Sequence, residues 1–370
     1  MKLVTYSEPG KQTKTRPGLL WGNWILDLQD IPSLSSRLEV KISKRITKLS
    51  KLSSTLDLVA SGTKAMEDLQ KLSWRIFNRL GPEKTPRTVK NLTEVSLRPP
   101  IPRPPVLRDF YSFEDHVKAA RARRGLQMLP EWYDFPAFYY SSPGRVYGPD
   151  DDVPCPSYTK ALDYELEIAC ILGKSGIDVP EAEAESFIAG YTIMNDWSAR
   201  DIQEKEMKIG LGPAKAKDFA TSLGPWIVTP DELQDKKAGP GRFDLSMKAR
   251  VNGKQLSGGN MKSIHWTFPQ MIARASQSVE VHPGEVFGSG TVGTGSLLEL
   301  GQDVHRWLSP GDEVELEIER QNSLRRDIRN SGRRMDRCTM RKFLGQRPSL
   351  ESTLHSITST LPQASPRSRS

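Results

Sequence analysis

Residues 162–169, near the middle of the chain, alternate acidic and apolar side chains. Because side chains alternate between the two faces of an extended strand, this pattern predicts a strand with Glu165 and Glu167 on one face and apolar residues on the other. The two carboxylates then lie about 7 Å apart at the backbone. Neighbouring acids repel each other, so such a face is either solvated or holds a cation. Taken alone, the stretch favours the solvated face, since Glu-x-Glu is common on exposed sheet faces.

The net charge of +8 is concentrated in the C-terminal segment. Residues 320–370 include 12 basic and 3 acidic residues, a net of +9, whereas the residues before them have a net of −1. That nearly neutral part has no basic stripe with interleaved aromatic residues, which argues against nucleic acid as a partner. With 370 residues, the chain is expected to form one large domain and a smaller one.

The three cysteines, Cys155, Cys170 and Cys338, are far apart and match neither a disulfide framework nor a Cys-x-x-Cys metal site. This usage is typical of a reducing compartment. The first residues have no apolar segment of signal-peptide length, and no window is long and apolar enough to span a bilayer. The sequence therefore predicts a cytoplasmic protein without a membrane partner.

A proline-rich segment at residues 99–105 predicts the main boundary, because a proline run is stiff and joins neither a helix nor a central strand. Residues 1–98 are predicted to form a small, β-rich N-terminal accessory domain. It should include a hairpin turning at Gly22 and Asn23 and a helix beginning after Gly62. The second domain covers residues 106–328, and the Arg-, Ser- and Pro-rich segment 329–370 is predicted to be a largely disordered tail.

Short strand patterns separated by Gly/Pro turns fill the second domain, with few long helical periods. They predict a mainly β fold with short helices, in the α+β class. The last strand, residues 313–319, alternates strictly, and its acids are expected to form a solvated outer face.

Directly after the proline run, Asp109 lies in a predicted strand and His116 in the first turn of a predicted short helix. Ser112 is a suitable helix start, and Gly125 a suitable stop. A lone histidine is usually structural or exposed. Its position after an acid-bearing strand at a domain entrance favours a functional role.

A second group of polar residues follows an apolar strand that ends at Asp196. This aspartate lies where ligands are often placed, and Arg200 and Gln203 share one face of the next helix. The simpler alternative is that Asp196 or Ser198 only caps that helix. Further on, the glycine- and lysine-containing segment 210–221 either faces an anion or is a solvated loop.

The glycines at residues 288–293 match the dinucleotide-binding pattern, but the expected helix of a βαβ unit does not follow them. These glycines are more readily explained by sharp turns and by a close approach of the backbone to a ligand. Glu299, flanked by leucines, is an acid in an apolar context that requires a partner.

Five motifs in this order resemble those of the fumarylacetoacetate hydrolase family. They are Asp109-Phe110-Tyr111 with His116, residues 163–167, the run Asn195-Asp196-Trp197-Ser198-Ala199-Arg200-Asp201-Ile202-Gln203, residues 217–221, and residues 289–291 before Leu298-Glu299-Leu300. The resemblance covers residues 100–328, and the Asn-Asp-Trp-Ser-Ala-Arg-Asp run is its most specific part.

The resemblance implies a mixed β-sandwich roll, preceded by the family's small β domain, and a homodimer that binds Mg²⁺, or Ca²⁺ or Mn²⁺. It places Asp109, Glu165, Glu167 and Asp196 at the metal-ligand positions and His116 at the general base, oriented by Glu299. Lys217, Arg200 and Gln203 match groups that hold the substrate and its oxyanion. Tyr111 and Thr291 match substrate contacts, and Thr221 lies near the metal.

The chain departs from fumarylacetoacetases at two places. Met207 stands where they have a substrate-contacting tyrosine, and residues 140–145 lack their Tyr-His-Gly-Arg sequence. Methionine removes a hydroxyl group and leaves a flexible apolar wall. The chain is therefore closer to relatives acting on acylpyruvates and unsaturated 2-oxo diacids.

By this resemblance, the protein is expected to be a metal-dependent hydrolase that cleaves a carbon–carbon bond in a 2,4-dioxo acid. The nearest alternative is a decarboxylase, isomerase or hydratase that acts on a 2-oxo acid through the same metal enolate. An alternative of another class is a non-catalytic relative that engages partners through its basic tail.

Overall fold

The computed structural model describes residues 1–11, 14–80, 89–149, 151–320 and 322–330, which fall within one compact unit. From residue 331 onward, the predicted tail lies outside the described residues. The helices are α1 (Ile31–Arg37), α2 (Lys44–Leu49), α3 (Thr55–Val59), α4 (Thr63–Leu80), α5 (Glu114–Ala122), α6 (Glu181–Ala184), α7 (Arg200–Ile209), α8 (Phe268–Ala275) and α9 (Leu297–Leu300). Among the described residues, no helix combines the length and the apolar character needed to cross a membrane.

The strands alternate with these short helices along the described chain. They are β1 (Lys2–Ser7), β2 (Arg16–Trp21), β3 (Trp24–Asp27), β4 (Val89–Asn91), β5 (Ser96–Arg98), β6 (Leu107–Phe110), β7 (Phe138–Ser141), β8 (Val146–Tyr147), β9 (Val153–Cys155), β10 (Leu162–Asp163), β11 (Leu166–Leu172), β12 (Ile188–Asp196), β13 (Ser198–Ala199), β14 (Thr221–Val228), β15 (Ser246–Val251), β16 (Lys254–Asn260), β17 (Val286–Gly288), β18 (Glu313–Ile318) and β19 (Asn322–Asn330).

Most strands join one large sheet in the order β4-β3-β2-β1-β14-β12-β11-β17-β6-β7, with β5 beside β1 and β8 beside β14. A second sheet has the order β16-β15-β18-β19-β9. The predicted mainly β fold with short helices is thereby confirmed. The sheet continues across the proline run, because β1 pairs with β14 in the register Lys2↔Val228. The division of the chain at residues 99–105 stays a prediction.

The large sheet has an apolar core on each of its two faces, and β11 contributes to both. Leu166, Ile168 and Cys170 pack in the core shared with the second sheet and α8. Ala169 and Ile171 pack in the core beneath the N-terminal helices. A strand that is covered on both faces has a nearly continuous apolar sequence, and β11 has such a sequence after Glu167.

Two local predictions in the N-terminal region are confirmed. β2 and β3 pair as a hairpin across Gly22 and Asn23, with Trp21 opposite Trp24. The helix expected after Gly62 is α4, which buries its apolar stripe against the N-terminal core.

The acids of the last strand are less solvated than expected. β18 buries every second residue, and between the buried positions Glu315 and Glu317 are partly buried and form ion pairs with Arg250 of β15. The predicted alternation is correct, and the acids lie on the more exposed face as predicted, but a cross-strand arginine pairs with two of them and reduces their exposure.

The turn before β18 is held by the buried carboxylate of Asp312. This carboxylate accepts hydrogen bonds from the Ser309 amide (2.8 Å), the Asn252 side chain (2.9 Å) and the Arg306 guanidinium (2.6 Å). Burial opposes ionisation, but these donors, Arg306 foremost, lower the pKa of Asp312 from 3.8 to about 2.

We expect Asp312→Asn to lower the free energy of unfolding at pH 7 by roughly 1–3 kcal/mol, because hydrogen bonds to a charged acceptor are lost. A depressed pKa means that the contribution of this carboxylate is fully present above pH 3.8 and is lost as the pH falls through about 2. Thermal unfolding followed by circular dichroism should show a Tm difference from the wild type that narrows between these pH values. The exposed Asp303→Asn is the control, and a pH-independent difference would contradict this account.

Candidate metal centre and active site

Four carboxylates meet at one end of the large sheet. Asp109, Glu165, Glu167 and Asp196 each offer an oxygen atom, and these atoms all lie within 4.8 Å of one another. All four side chains are buried, and Glu167 and Asp196 have no exposed surface. The solvated-face interpretation of the Glu-x-Glu pair is therefore wrong.

Strand alternation explains how three of these acids converge. Asp109, Glu167 and Asp196 lie on β6, β11 and β12, two residues along the chain from Leu107, Ala169 and Met194, respectively. Those three apolar residues belong to the core beneath the N-terminal helices. Because residues two apart share a face, the three carboxylates project from that same face of the sheet.

Glu165 reaches the cluster from a break between two strands. The predicted continuous strand at residues 162–169 is wrong, since β10 ends at Asp163 and β11 begins at Leu166. The reason is a change of partner, because β10 pairs with β13 whereas β11 pairs with β12. The Glu165 amide instead donates to the Asn195 side chain (2.9 Å).

Two glycines make room for the cluster. A Cβ atom at Gly288 would lie 2.5 Å from the Asp109 carboxylate, so only glycine fits beside it. Gly290 has φ +77° and packs against the Phe110 carbonyl, and its amide donates to both Asp109 (3.3 Å) and Glu167 (3.2 Å). The glycines at 288–293 thus allow close backbone approach, as predicted, but what they approach is β6 and the acids.

The charges of the cluster are poorly balanced by the protein alone. Burial, followed by the charge of Asp196, raises the pKa of Asp109 well above its ordinary value, and burial and the charge of Asp109 raise that of Glu167. Asp196 Oδ1 is buried and has no hydrogen-bond partner among the described residues. An all-oxygen donor set with an unpartnered carboxylate oxygen fits a hard divalent cation such as Mg²⁺, Mn²⁺ or Ca²⁺.

Two buried cations border the acids. The Lys217 ammonium donates to Glu165 Oε2 (2.5 Å) and Asp196 Oδ2 (2.5 Å), and Arg200 Nη2 donates to Glu165 Oε1 (2.7 Å). Burial alone would raise the pKa of Glu165, but the charges of Lys217 and Arg200 lower it. The lysine predicted to face an anion is therefore Lys217, whereas Lys215 is exposed and pairs with Asp218.

Helix α7 carries the next predicted residues on one face. Arg200 Nη1 donates to Gln203 Oε1 (2.9 Å), and Met207, one turn further, is 41% exposed. The alternative that Asp196 or Ser198 caps this helix is wrong. Ala199 precedes the first turn, and no side chain caps it.

His116 and Glu299 form a buried pair. His116 Nδ1 donates to Glu299 Oε1, and both side chains are at most 5% exposed. The Thr294 amide donates to Glu299 Oε2 (2.7 Å), which fixes the carboxylate from its other side. The partner required by Glu299 is thus His116, in the first turn of α5 as predicted. The helix begins at Glu114, however, and Ser112 does not cap it.

The remaining predicted residues surround this pair and the acids. The Tyr111 ring meets His116 edge-on at a centroid distance of 5.5 Å. Thr291 Oγ1 donates to Glu167 Oε1 (3.4 Å), and the buried Thr221 hydroxyl has no partner among the described residues.

Two residues of the site were not predicted from the sequence. The Tyr139 hydroxyl donates to Asp196 Oδ2 (2.6 Å), and Tyr139 lies opposite Asp109 in the β6–β7 pair. Asp163 is fully buried and binds Arg200 Nε (2.8 Å). The signal for Asp163 was its place beside Glu165, and that for Tyr139 was a short strand of β-formers that could pair with β6.

Comparison with curated proteins finds similarity to a hydrolase and to several fumarylacetoacetases. The chain is 31% identical over 196 residues to 2,4-didehydro-3-deoxy-L-rhamnonate hydrolase of Sphingomonas sp. (strain SKA58), covering 52% of this chain and 65% of that protein. It is 30% identical over 268 residues to fumarylacetoacetase of Caenorhabditis elegans, covering 56% and 64%, respectively. The chain thus spans a little under two thirds of the length of these relatives.

Among solved structures, maleylpyruvate hydrolase from Sphingobium sp. SYK-6, in complex with manganese(II) and pyruvate, has the same fold. The TM-score is 0.58 at 20% sequence identity, with 89% of this chain and 99% of that chain covered.

A family model covers the strands and loops that build the site. The model for the fumarylacetoacetate (FAA) hydrolase C-terminal domain matches residues 105–329. This segment includes the four carboxylates, both buried cations and the His116–Glu299 pair. The chain belongs to the fumarylacetoacetate hydrolase family.

Proposed function

We propose that this chain is a divalent-metal-dependent hydrolase that cleaves a carbon–carbon bond in a 2,4-dioxo acid of the acylpyruvate or fumarylpyruvate kind. The observation that carries the proposal is the buried cluster of four carboxylates next to a histidine–glutamate pair. The Tyr111 ring contacts His116, and Tyr111 directly follows β6, which carries Asp109. The manganese and pyruvate bound by the maleylpyruvate hydrolase give further support.

Asp109, Glu165, Glu167 and Asp196 would hold the cation, with Mg²⁺ the first choice and Mn²⁺ or Ca²⁺ as alternatives. When bound, the cation would polarise a substrate carbonyl oxygen and stabilise negative charge that develops there. The Lys217 ammonium contacts the carboxylates of Glu165 and Asp196. Once a cation neutralises these acids, the ammonium would be available to a substrate carboxylate or oxyanion.

The hydrolytic steps follow from the orientation of His116. Its Nδ1 atom is engaged by Glu299, so Nε2 is left to take a proton from water. The water oxygen adds to the carbonyl carbon, the adjacent carbon–carbon bond breaks, and the departing carbon receives the proton that His116 took from water. Lys217 and Arg200 supply positive charge where the oxyanion develops, while Gln203, Tyr111 and Thr291 line the substrate side.

Isomerisation, hydration or decarboxylation of a 2-oxo acid is the alternative for the same site. His116 distinguishes decarboxylation from hydrolysis, because only the latter requires a base that activates water. The homodimer also stays a prediction, to be tested by the mass of the protein in solution.

The first prediction from this proposed function concerns the metal. We expect Glu165→Ala, Glu167→Ala and Asp196→Ala each to reduce turnover by about two orders of magnitude or more, because even the loss of residues that support metal ligands costs about 10–100-fold. EDTA should abolish turnover, and Mg²⁺ or Mn²⁺ should restore it. Turnover of an acylpyruvate, followed by loss of the enol absorbance, is the measurement. The exposed Glu181→Ala is the control, and full activity in a chelated sample would end the metal hypothesis.

The second prediction concerns the base. We expect His116→Ala to lower kcat for acylpyruvate hydrolysis by about 100- to 10,000-fold, the usual contribution of a general base. Mn²⁺ binding, measured by calorimetry, should be retained because His116 is not among the four acids. The exposed His282→Ala provides a matched control. An undiminished kcat in His116→Ala would refute the hydrolytic assignment.

The third prediction concerns specificity. Met207 lies on the Arg200–Gln203 face of α7 and offers no hydroxyl, so we expect fumarylacetoacetate to be a poorer substrate than a simpler acylpyruvate. Met207→Tyr should shift the ratio of kcat/KM values toward fumarylacetoacetate, on the order of 1 kcal/mol if one hydrogen bond is regained. Exposed Ile209→Tyr is the control. If the wild type prefers fumarylacetoacetate and Met207→Tyr leaves the ratio unchanged, residue 207 does not set specificity.

A further inference from the structure

Asp163 contacts both the start of α9 and Arg200. Among the described residues, these two parts of the site have no direct hydrogen bond to each other. Asp163 is fully buried at the end of β10. Its Oδ1 atom accepts from the Leu297 amide (2.8 Å). Its Oδ2 atom accepts from the Leu298 amide (3.1 Å) and from Arg200 Nε (2.8 Å).

These contacts connect the base to the acid cluster. Leu297 and Leu298 open α9, and the next residue is Glu299, the partner of His116. On the other side, Arg200 extends from Asp163 to Glu165. Asp163 is therefore the shared acceptor between the element that orients the base and the arginine that borders the metal site.

We infer that Asp163 is a positioning residue that sets the orientation of the His116–Glu299 pair and of Arg200 together. The inference rests on the proposed function only in naming His116 as a base. Asp163 itself faces neither substrate nor water, because it has no exposed surface. Its effect on the chemistry passes through α9 and Arg200.

The chemistry of the carboxylate explains why an amide cannot replace it. Both oxygens of Asp163 are used, and all three of their partners are donors. Asparagine has one acceptor oxygen and an NH₂ group, so in Asp163→Asn the NH₂ group faces at least one donor. Either the start of α9 or Arg200 then loses its buried partner, which is the costly case for a hydrogen bond.

The test observes His116 directly and needs no substrate. The chain has 5 histidines, so the Nδ1–H resonance of His116 can be assigned in ¹⁵N-histidine-labelled protein by comparison with His116→Gln. A proton held by a carboxylate resonates downfield and exchanges slowly with water. We expect Asp163→Asn to move this resonance upfield and to accelerate its exchange.

Asp27→Asn is the matched control, since Asp27 is also buried and also binds an arginine and a backbone amide, but lies on β3, far along the chain from α9. It should leave the His116 resonance in place. Asp163→Glu, which keeps both acceptor oxygens and displaces them by one methylene, should give a smaller shift and provides the test if Asp163→Asn does not fold. An unmoved resonance in a folded Asp163 variant, or equal shifts in the control, would overturn the inference.

A kinetic measurement separates this inference from the proposed function. On an acylpyruvate substrate, Asp163→Asn should lower kcat more than it changes KM. In combination with Glu299→Gln it should add little to the loss caused by the more severe single variant. Multiplying losses would show that Asp163 does not act through Glu299. If no oxo acid is turned over, the proposed function fails, while the His116 resonance still decides the role of Asp163.

Discussion

The structure depends on the mutual repulsion of four buried carboxylates and on how the surrounding chain offsets it. Moving one ionised carboxylate out of water is costly, and placing four within 4.8 Å multiplies that cost. Lys217 and Arg200 offset part of it from one side, and the Gly290 amide offsets another part. A divalent cation would neutralise the remaining negative charge. The charge imbalance that destabilises the fold would therefore favour binding of the metal.

The large sheet makes this concentration of charge tolerable, because apolar cores cover both of its faces. The acids occupy the end of a face whose other positions pack beneath the N-terminal helices. The opposite face packs against the second sheet. Three of the four acids are therefore held by strands, and His116 and Glu299, which lie on short helices, are fixed by hydrogen bonds.

Much of this arrangement could be predicted from the sequence, for identifiable reasons. Strand alternation and colinear motifs placed Asp109, Glu167, Asp196 and His116 on the correct kinds of element, and Glu299 was recognised as an acid that needs a partner. Three features could not be predicted. The break at Glu165 depends on which strands pair, and the roles of Tyr139 and Asp163 depend on contacts between residues far apart in the chain. Local pattern indicates a short strand around Tyr139 and an acid beside Glu165, but not which distant residues these side chains contact.

The pairing of β1 with β14 has a consequence for how the protein is made. Lys2 lies opposite Val228, so β1, which also pairs with β2, lacks its neighbour β14 until residue 228 has been synthesised. Long-range pairings of this kind slow folding, and an unpaired strand edge can associate with other chains in the meantime. During translation, the free edge of the nascent N-terminal hairpin is thus open to such association, and production at low temperature or at a slow rate should favour soluble protein.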